Sequence, residues 1–197
     1  MNFSDYEKQF QQACENVEPK SWPYTHREAG AFLLPIVDDL PSLTLLVRSD
    51  PVPLSSLIYL PGGIRCTPSP QSTMYENVEK DIGLQPKDIR LYGYLGLYPL
   101  HNLEFDAHIY LGTVPSPEKW DIDPDTVDQI YKVPLETLMD EFRANYFDLK
   151  RPEFHLHVDE EVFTVSDATA AILCLLLRRI SIASDLGYGK RLPFLSR

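Results

Sequence analysis

The stretch LPGGIRCTPSPQSTMYENVEKDIGL, residues 60–84, is where this chain is best equipped for chemistry. It opens like a loop that handles phosphate, because Pro61-Gly62-Gly63 turns tightly and leaves room for backbone to approach an anion. An amphipathic helix over residues 71–82 follows, with Met74, Val78 and Ile82 at spacings of four, and Gly83 stops it. Its polar positions carry Glu76, Asn77, Glu79, Lys80 and Asp81. A face meant for a divalent cation should be rich in carboxylates, yet Asn77 and Lys80 interrupt it. Glu76 and Lys80 stand at i, i+4 in the favourable order, so a surface ion pair is expected there.

Other residues compete for attention. His155 and His157 share one face of a strand, as a metal pair could require, but no third ligand lies nearby in sequence. The expectation is a half-exposed strand. His101 and His108 flank Glu104, where a substrate contact is conceivable, and Cys66 in the loop lacks an assignable histidine partner. Asp123, Asp125 and Asp128 read as solvated charge, and Tyr92, Tyr94 and Tyr98 as one sheet face.

The elements that must position these residues are bounded by composition. A chain of 197 residues, 44% hydrophobic and 11% aromatic, suits one packed domain. Net charge is −11 with no basic stripe, which argues against nucleic acid and anionic membrane surfaces. The late cations Arg178, Arg179, Lys190, Arg191 and Arg197 read as favourable charge at and beyond a helix C-terminus. The N-terminus lacks a signal-peptide layout, and ATAAILCLLL (168–177) is too short to cross a bilayer. With Cys14, Cys66 and Cys174 scattered and no Cys-x-x-Cys, a cytoplasmic protein with reduced thiols is expected.

Phe3, Tyr6, Phe10, Ala13 and Val17 step by three and four, marking a first helix. AGAFLLPIV and LTLLVR read as strands joined by the turn DDLPS, and a short strand precedes the glycine turn. IRLYGYLGLY, FDAHIYLGTV and TVDQIYKV are strands, then PLETLMDEF a helix with Pro at its start. HLHV and EVFTV form a hairpin, and SDATAAILCLLLRRI a closing helix with Ser166 or Asp167 as N-cap. The order α-β-β-β-α-β-β-β-α-β-β-α implies a mixed sheet packed by helices.

Residues 60–84 resemble the Nudix box, G-x5-E-x7-R-E-U-x-E-E-x-G-U, where U is a bulky aliphatic residue. Pro61-Gly62-Gly63 matches its start, Gly83-Leu84 its end, and Val78 and Ile82 its buried helix positions. Measured from the second glycine the box is one residue short, as a loop deletion would leave it. In that family the last three glutamates sit at relative positions 1, 4 and 5 of the helix, on one face. They hold Mg²⁺ or Mn²⁺ against a diphosphate. Counting back from Gly83-Leu84, the box arginine falls on Glu76, the first glutamate on Asn77, and the pair on Lys80 and Asp81. An ammonium about 4 Å from a divalent ion is repelled by roughly 8 kcal/mol at an effective dielectric near 20.

Beyond the box, the likeness runs from about Thr25 to Ile180 and is greatest to the coenzyme A diphosphatase branch. HREAGAFLLPIV, LTLLVRS, VDQIYKVPLETL and FTVSDATAAIL are similar to successive segments of that group. Its signature before the glycine pair is reduced here to Arg48 and Ser49. Asp125-Thr126-Val127 stands where relatives carry an acidic residue, Glu and Val.

The resemblance implies a Nudix fold, an α-β-α sandwich with a mixed β-sheet. Residues 1–24 would form a helix and lead-in, 25–182 the Nudix domain, and 183–197 a tail. It implies a relative of coenzyme A and nucleoside diphosphate hydrolases whose metal site is eroded, with weak or no hydrolysis, acting by ligand or partner binding. The alternative is an active Mg²⁺- or Mn²⁺-dependent diphosphatase with a displaced carboxylate set. Catalysis would then fall to Glu76, Glu79 and Asp81, metal binding to Asp81 and Glu79, and substrate contacts to Arg48, Gly62, Gly63 and Glu104. The cofactor is Mg²⁺ or Mn²⁺ if the protein is active, and none otherwise. The expected partners are a nucleotide or a coenzyme A-like molecule, and a protein partner or second copy, with neither nucleic acid nor membrane.

Overall fold

A computed structural model describes residues 3–15, 17–22, 28–37, 41–49, 58–100, 104–144, 152–158 and 161–183. Its elements are α1 (Phe3–Cys14), β1 (Glu28–Val37), β2 (Ser42–Arg48), β3 (Ile58–Tyr59), β4 (Gly62–Ile64), α2 (Pro70–Ile82), β5 (Arg90–Leu100), β6 (Phe105–Val114), β7 (Val127–Pro134), α3 (Leu135–Ala144), β8 (Phe154–Val158), β9 (Glu161–Val165) and α4 (Asp167–Ala183). The predicted order holds with one addition. The glycine turn itself forms a strand, β4, paired antiparallel to β1.

Strands β1 and β6 run parallel along their whole length, and the other pairings of the seven-stranded sheet are antiparallel. Both are buried at nearly every position, as central strands covered on two faces must be. Strands β1 and β2 pair only at Ile36↔Leu43 and Val37↔Ser42 before they part. Into the gap come β4, on the edge of β1 at residues 30–32, and β3, on the edge of β2 at Leu46 and Val47. The backbone of Pro61 closes the cleft by accepting from Leu33 N at 2.9 Å. This split brings the end of β2, the glycine turn and α2 together.

Two cores sandwich the sheet. One packs α1, α3, α4 and the β8–β9 hairpin, with Phe10, Leu138, Leu156, Leu173 and Leu176 among its members. The other packs α2 through Met74, Val78 and Ile82, together with Trp22 and Trp120.

Two expectations are corrected. The tyrosines of β5 do not share a face: register shifts between Leu91 and Gly93 and between Tyr94 and Gly96 send Tyr92 and Tyr98 to the first core and Tyr94 to the second. Helix α4 runs on to Ala183, so Arg178 and Arg179 lie before its last turn. Arg179 instead donates to Ala13 O at 3.0 Å, at the C-terminus of α1. Lys190, Arg191 and Arg197 lie outside the described residues, as does His101. Ala170 N donates to Ser166 O at 3.3 Å, which puts Ser166 at the N-cap position of α4. Among the described residues no helix is long and apolar enough to cross a membrane.

Candidate functional site

Helix α2 is held at both ends by local chemistry. Ser69 caps it by accepting from Ser72 N, Pro70 fills the first turn, and Gly83 closes it in the left-handed conformation at φ 69°. A side chain on Gly83 would collide with Asp121, so glycine is needed there for space as well. Thr73 ties the preceding loop to the helix, its hydroxyl accepting from Cys66 N at 3.3 Å and Thr67 N at 3.1 Å.

The polar face of α2 meets the glycine turn. Asn77 donates from Nδ2 to Thr73 O at 2.8 Å, and its Oδ1 stands 2.5 Å from where a Cβ on Gly63 would lie. A Cβ on Gly62, whose φ is 135°, would strike the backbone of Ala31 and Phe32. The missing side chains of Gly62 and Gly63 are therefore taken up by packing on β1 and Asn77. Gly62 N points at Asp81, donating to its Oδ2 at 3.4 Å. Asp81 is only 8% exposed. Burial pushes its carboxyl up to about 6, against the Gly62 amide and the positive charges of Lys80 and Arg48, which hold it down.

Asp81 stands with Asn77 at the edge of the buried stripe, whereas Glu79, two residues back, is turned by about 200° at 100° per residue and faces solvent. Glu76 is exposed and accepts from the Cys66 thiol at 3.4 Å. The expected ion pair between Glu76 and Lys80 does not form, and Lys80 extends into solvent. Glu104 begins the turn into β6 with φ 50°. It lies about five residues along β1 from the level of Gly62, or roughly 16 Å. The displaced carboxylate set is therefore spread over different sides of the helix and different levels of the sheet.

Arg48, at the end of β2, stacks its guanidinium 4.6 Å from the centre of the Tyr59 ring. Tyr59 donates to Thr126 O at 3.4 Å. Its hydroxyl is driven up by burial first and then by the charge of Asp81. Asp123 joins this group through its backbone, donating to Asp81 O at 3.2 Å, while its carboxylate accepts from Asp125 N at 3.0 Å. Ser49 fastens the same turn to β2 through Pro124 O and Thr126 O. Tyr59 and Asp123 were not singled out for the site from sequence. No motif marks them, and only the pairing of β3 with β2 and the return of residues 121–126 bring them in.

As a ligand set for Mg²⁺ or Mn²⁺ this face does not fit. Among the described residues no group of three or more His, Cys, Asp or Glu side chains converges. Asp81 offers one buried carboxylate, Asn77 donates its amide to Thr73 O with its neutral Oδ1 beside Gly63, and Lys80 brings a positive charge.

The remaining predicted residues separate. His155 and His157 are exposed on β8 between buried Phe154 and Leu156, the half-exposed strand expected, with His155 bonded to Thr164. His108 is no surface contact. It is 0% exposed, packed against Trp22 and Tyr94, with Nδ1 3.2 Å from the Tyr94 hydroxyl and Nε2 unpartnered.

No protein-family model and no curated protein matches the chain. Solved structures do. An Ap4A hydrolase of C. elegans in a binary complex superposes with a TM-score of 0.51 at 12% identity, over 79% of this chain and 96% of that one. DR0079 from Deinococcus radiodurans gives 0.50 at 11%, over 84% and 88%. The Nudix domain of Shewanella oneidensis NrtR, solved with ADP ribose, gives 0.46 at 18%, over 64% and 82%. The first two superpositions give the fold, a mixed α-β-α sandwich of the Nudix class. The sandwich is the one that the resemblance of residues 60–84 implied.

Proposed function

We propose that this Nudix-fold protein binds a nucleoside diphosphate-like ligand, coenzyme A and its relatives included, at the surface formed by Arg48, the glycine turn and α2, and hydrolyses it weakly or not at all. One observation carries the reading. The face that would grip a divalent ion holds a single buried carboxylate, Asp81, with cationic Lys80 and Arg48 acting on it. A carboxyl buried at this cost, and engaged by one long amide contact, marks the place as a candidate site. The coenzyme A lineage rests on the resemblance of HREAGAFLLPIV, LTLLVRS, VDQIYKVPLETL and FTVSDATAAIL to that branch. A cytoplasmic setting agrees with three unpaired cysteines.

The test is incubation of the purified protein with coenzyme A, its thioesters, ADP-ribose and dinucleoside polyphosphates, with Mg²⁺ or Mn²⁺. Released nucleotide is followed by chromatography and binding by thermal shift. The expected result is a shift in melting temperature with negligible product. Metal-dependent turnover abolished by Asp81→Ala would instead establish the active reading. Neither a shift nor turnover would leave a protein partner as the occupant of this face.

A further inference from the structure

We propose that Pro35 is the positioning residue of the candidate site: it ends the β1–β2 ladder and so holds open the gap that residues 58–64 fill. Pro35 is buried in β1, a central strand, where a residue without an N–H forfeits a ladder bond and is rarely found. The register says which edge loses that bond. On β1, Leu33 N donates to Pro61 O and Ala29 O accepts from Arg65 N, so the backbone of the odd-numbered residues faces β2 and β4. Strand alternation puts residue 35 on the same edge. Pairing with β2 runs through Val37↔Ser42 and Ile36↔Leu43, and the next pair in that register is Pro35 with Thr44. A bond there needs an N–H on residue 35 for Thr44 O, and proline has none. On the β6 side nothing is lost, and the parallel pairing runs on through Pro35↔Gly112 to Val37↔Val114. A proline in AGAFLLPIV does not by itself say which edge it disables; only the pairing does.

Both freed edges are taken by one segment. Ile58 and Tyr59 pair with Val47 and Leu46 of β2, Pro61 O takes Leu33 N, and Gly62, Gly63 and Ile64 pair with Phe32, Ala31 and Gly30 of β1. A ladder continued past Pro35 in the same register would claim Leu33 and Leu46 for each other. Two contacts of the candidate site depend on the break: Gly62 N to Asp81 Oδ2 at 3.4 Å, and the Arg48 guanidinium 4.6 Å from the Tyr59 ring. What the site binds rests on the reading above; how it is held does not.

Amide exchange and the Asp81 carboxyl titration, both followed by NMR, test this in the full chain. Pro35→Ala supplies the N–H. Lactic acid at position 35 keeps the methyl of that variant but has an ester oxygen in place of the N–H. In Pro35→Ala the residue-35 amide should be protected by Thr44 O. The Leu33 and Gly62 amides should exchange at least about tenfold faster, relative to amides of β6, than in wild type. Asp81, less deeply buried, should lose its proton about one pH unit lower than in wild type. The lactate variant should match wild type in the Leu33 and Gly62 rates and in the Asp81 midpoint, which a mere loss of side-chain volume would not allow. The assignment is wrong if the residue-35 amide exchanges freely, if Leu33 and Gly62 keep their wild-type rates in Pro35→Ala, or if the lactate variant shifts them equally. Thermal shift with coenzyme A and ADP-ribose is read separately. A wild-type response that Pro35→Ala loses ties the placement to binding. No response in wild type ends the ligand-binding reading, while the exchange rates still decide the role of Pro35.

Discussion

At the scale of single residues, two buried titratable groups set opposite pH dependences. Asp81 has its carboxyl raised from 3.8 to about 6, chiefly by burial. The unfolded chain gives up this proton first, so the penalty is absent below about pH 4, grows as pH rises, and is complete above about pH 6. Its size at neutral pH is about 3 kcal/mol. His108 is lowered from 6.5 to about 4 by burial, which outweighs the favourable charge of Asp106 and is helped by Lys20. Here the unfolded state takes up the proton first, so stability is complete above pH 6.5 and is lost as pH falls towards 4. In the wild type the two trends largely offset each other between pH 4 and 6. Asp81→Asn should therefore raise stability at pH 8 by up to about 3 kcal/mol, with no gain at pH 4. In that variant the His108 slope should stand alone, about 1.4 kcal/mol lost per pH unit below 6.5. Urea unfolding across pH 4 to 8 measures both, and a variant no more stable at pH 8 would show that Asp81 carries no such burden.

At the scale of elements, α2 separates its scaffold from its chemistry. The Ser69 cap, the Thr73 loop contacts, the Met74-Val78-Ile82 stripe and Gly83 define where the helix starts, what it packs on and where it ends. None of these involves the positions facing the cleft. Replacing those positions should leave the helix intact and change only what it binds. Asn77→Glu combined with Lys80→Glu places carboxylates beside Asp81 on one face. Calorimetry should then register Mn²⁺ at least about tenfold more tightly than in wild type, since affinity for hard cations follows the number of charged oxygens. An unchanged Mn²⁺ titration would mean that this face is not the counterpart of the family's metal-binding helix.

At the scale of the whole molecule, α1 packs into the main core. Tyr6, Phe10, Ala13 and Cys14 are buried against the face that also holds α3 and α4. Arg179 ties the end of α1 to α4, and a Cβ on Gly93 of β5 would touch Cys14. Losing one buried Phe alone costs about 3–5 kcal/mol, against a total stability of about 5–15 kcal/mol for a domain. A chain lacking residues 1–24 should consequently show no cooperative thermal transition and should elute as aggregate. A sharp transition close to that of the full chain would make residues 25–182 an independent unit.

What could be taken from the sequence was whatever is local. The stripe of α2, its stop at Gly83, the β1–β2 hairpin and the face shared by Asn77, Lys80 and Asp81 all follow from the 3.6- and two-residue periods of neighbouring positions. So does the resemblance to the Nudix box, which correctly implied the fold. What depended on distant pairing had no local trace. The two bulges of β5 reverse the alternation that would have put its tyrosines on one face. Glu79 is near Asp81 in sequence but turned away from it in space. The splitting of β1 from β2, which admits β3 and β4 and delivers Arg48, Tyr59 and Asp123 to Asp81, was decided only in the tertiary structure. Strand pairing is settled by which residues come to share an edge, and Asp81 becomes a buried, reluctant anion only once that pairing closes the cleft around it.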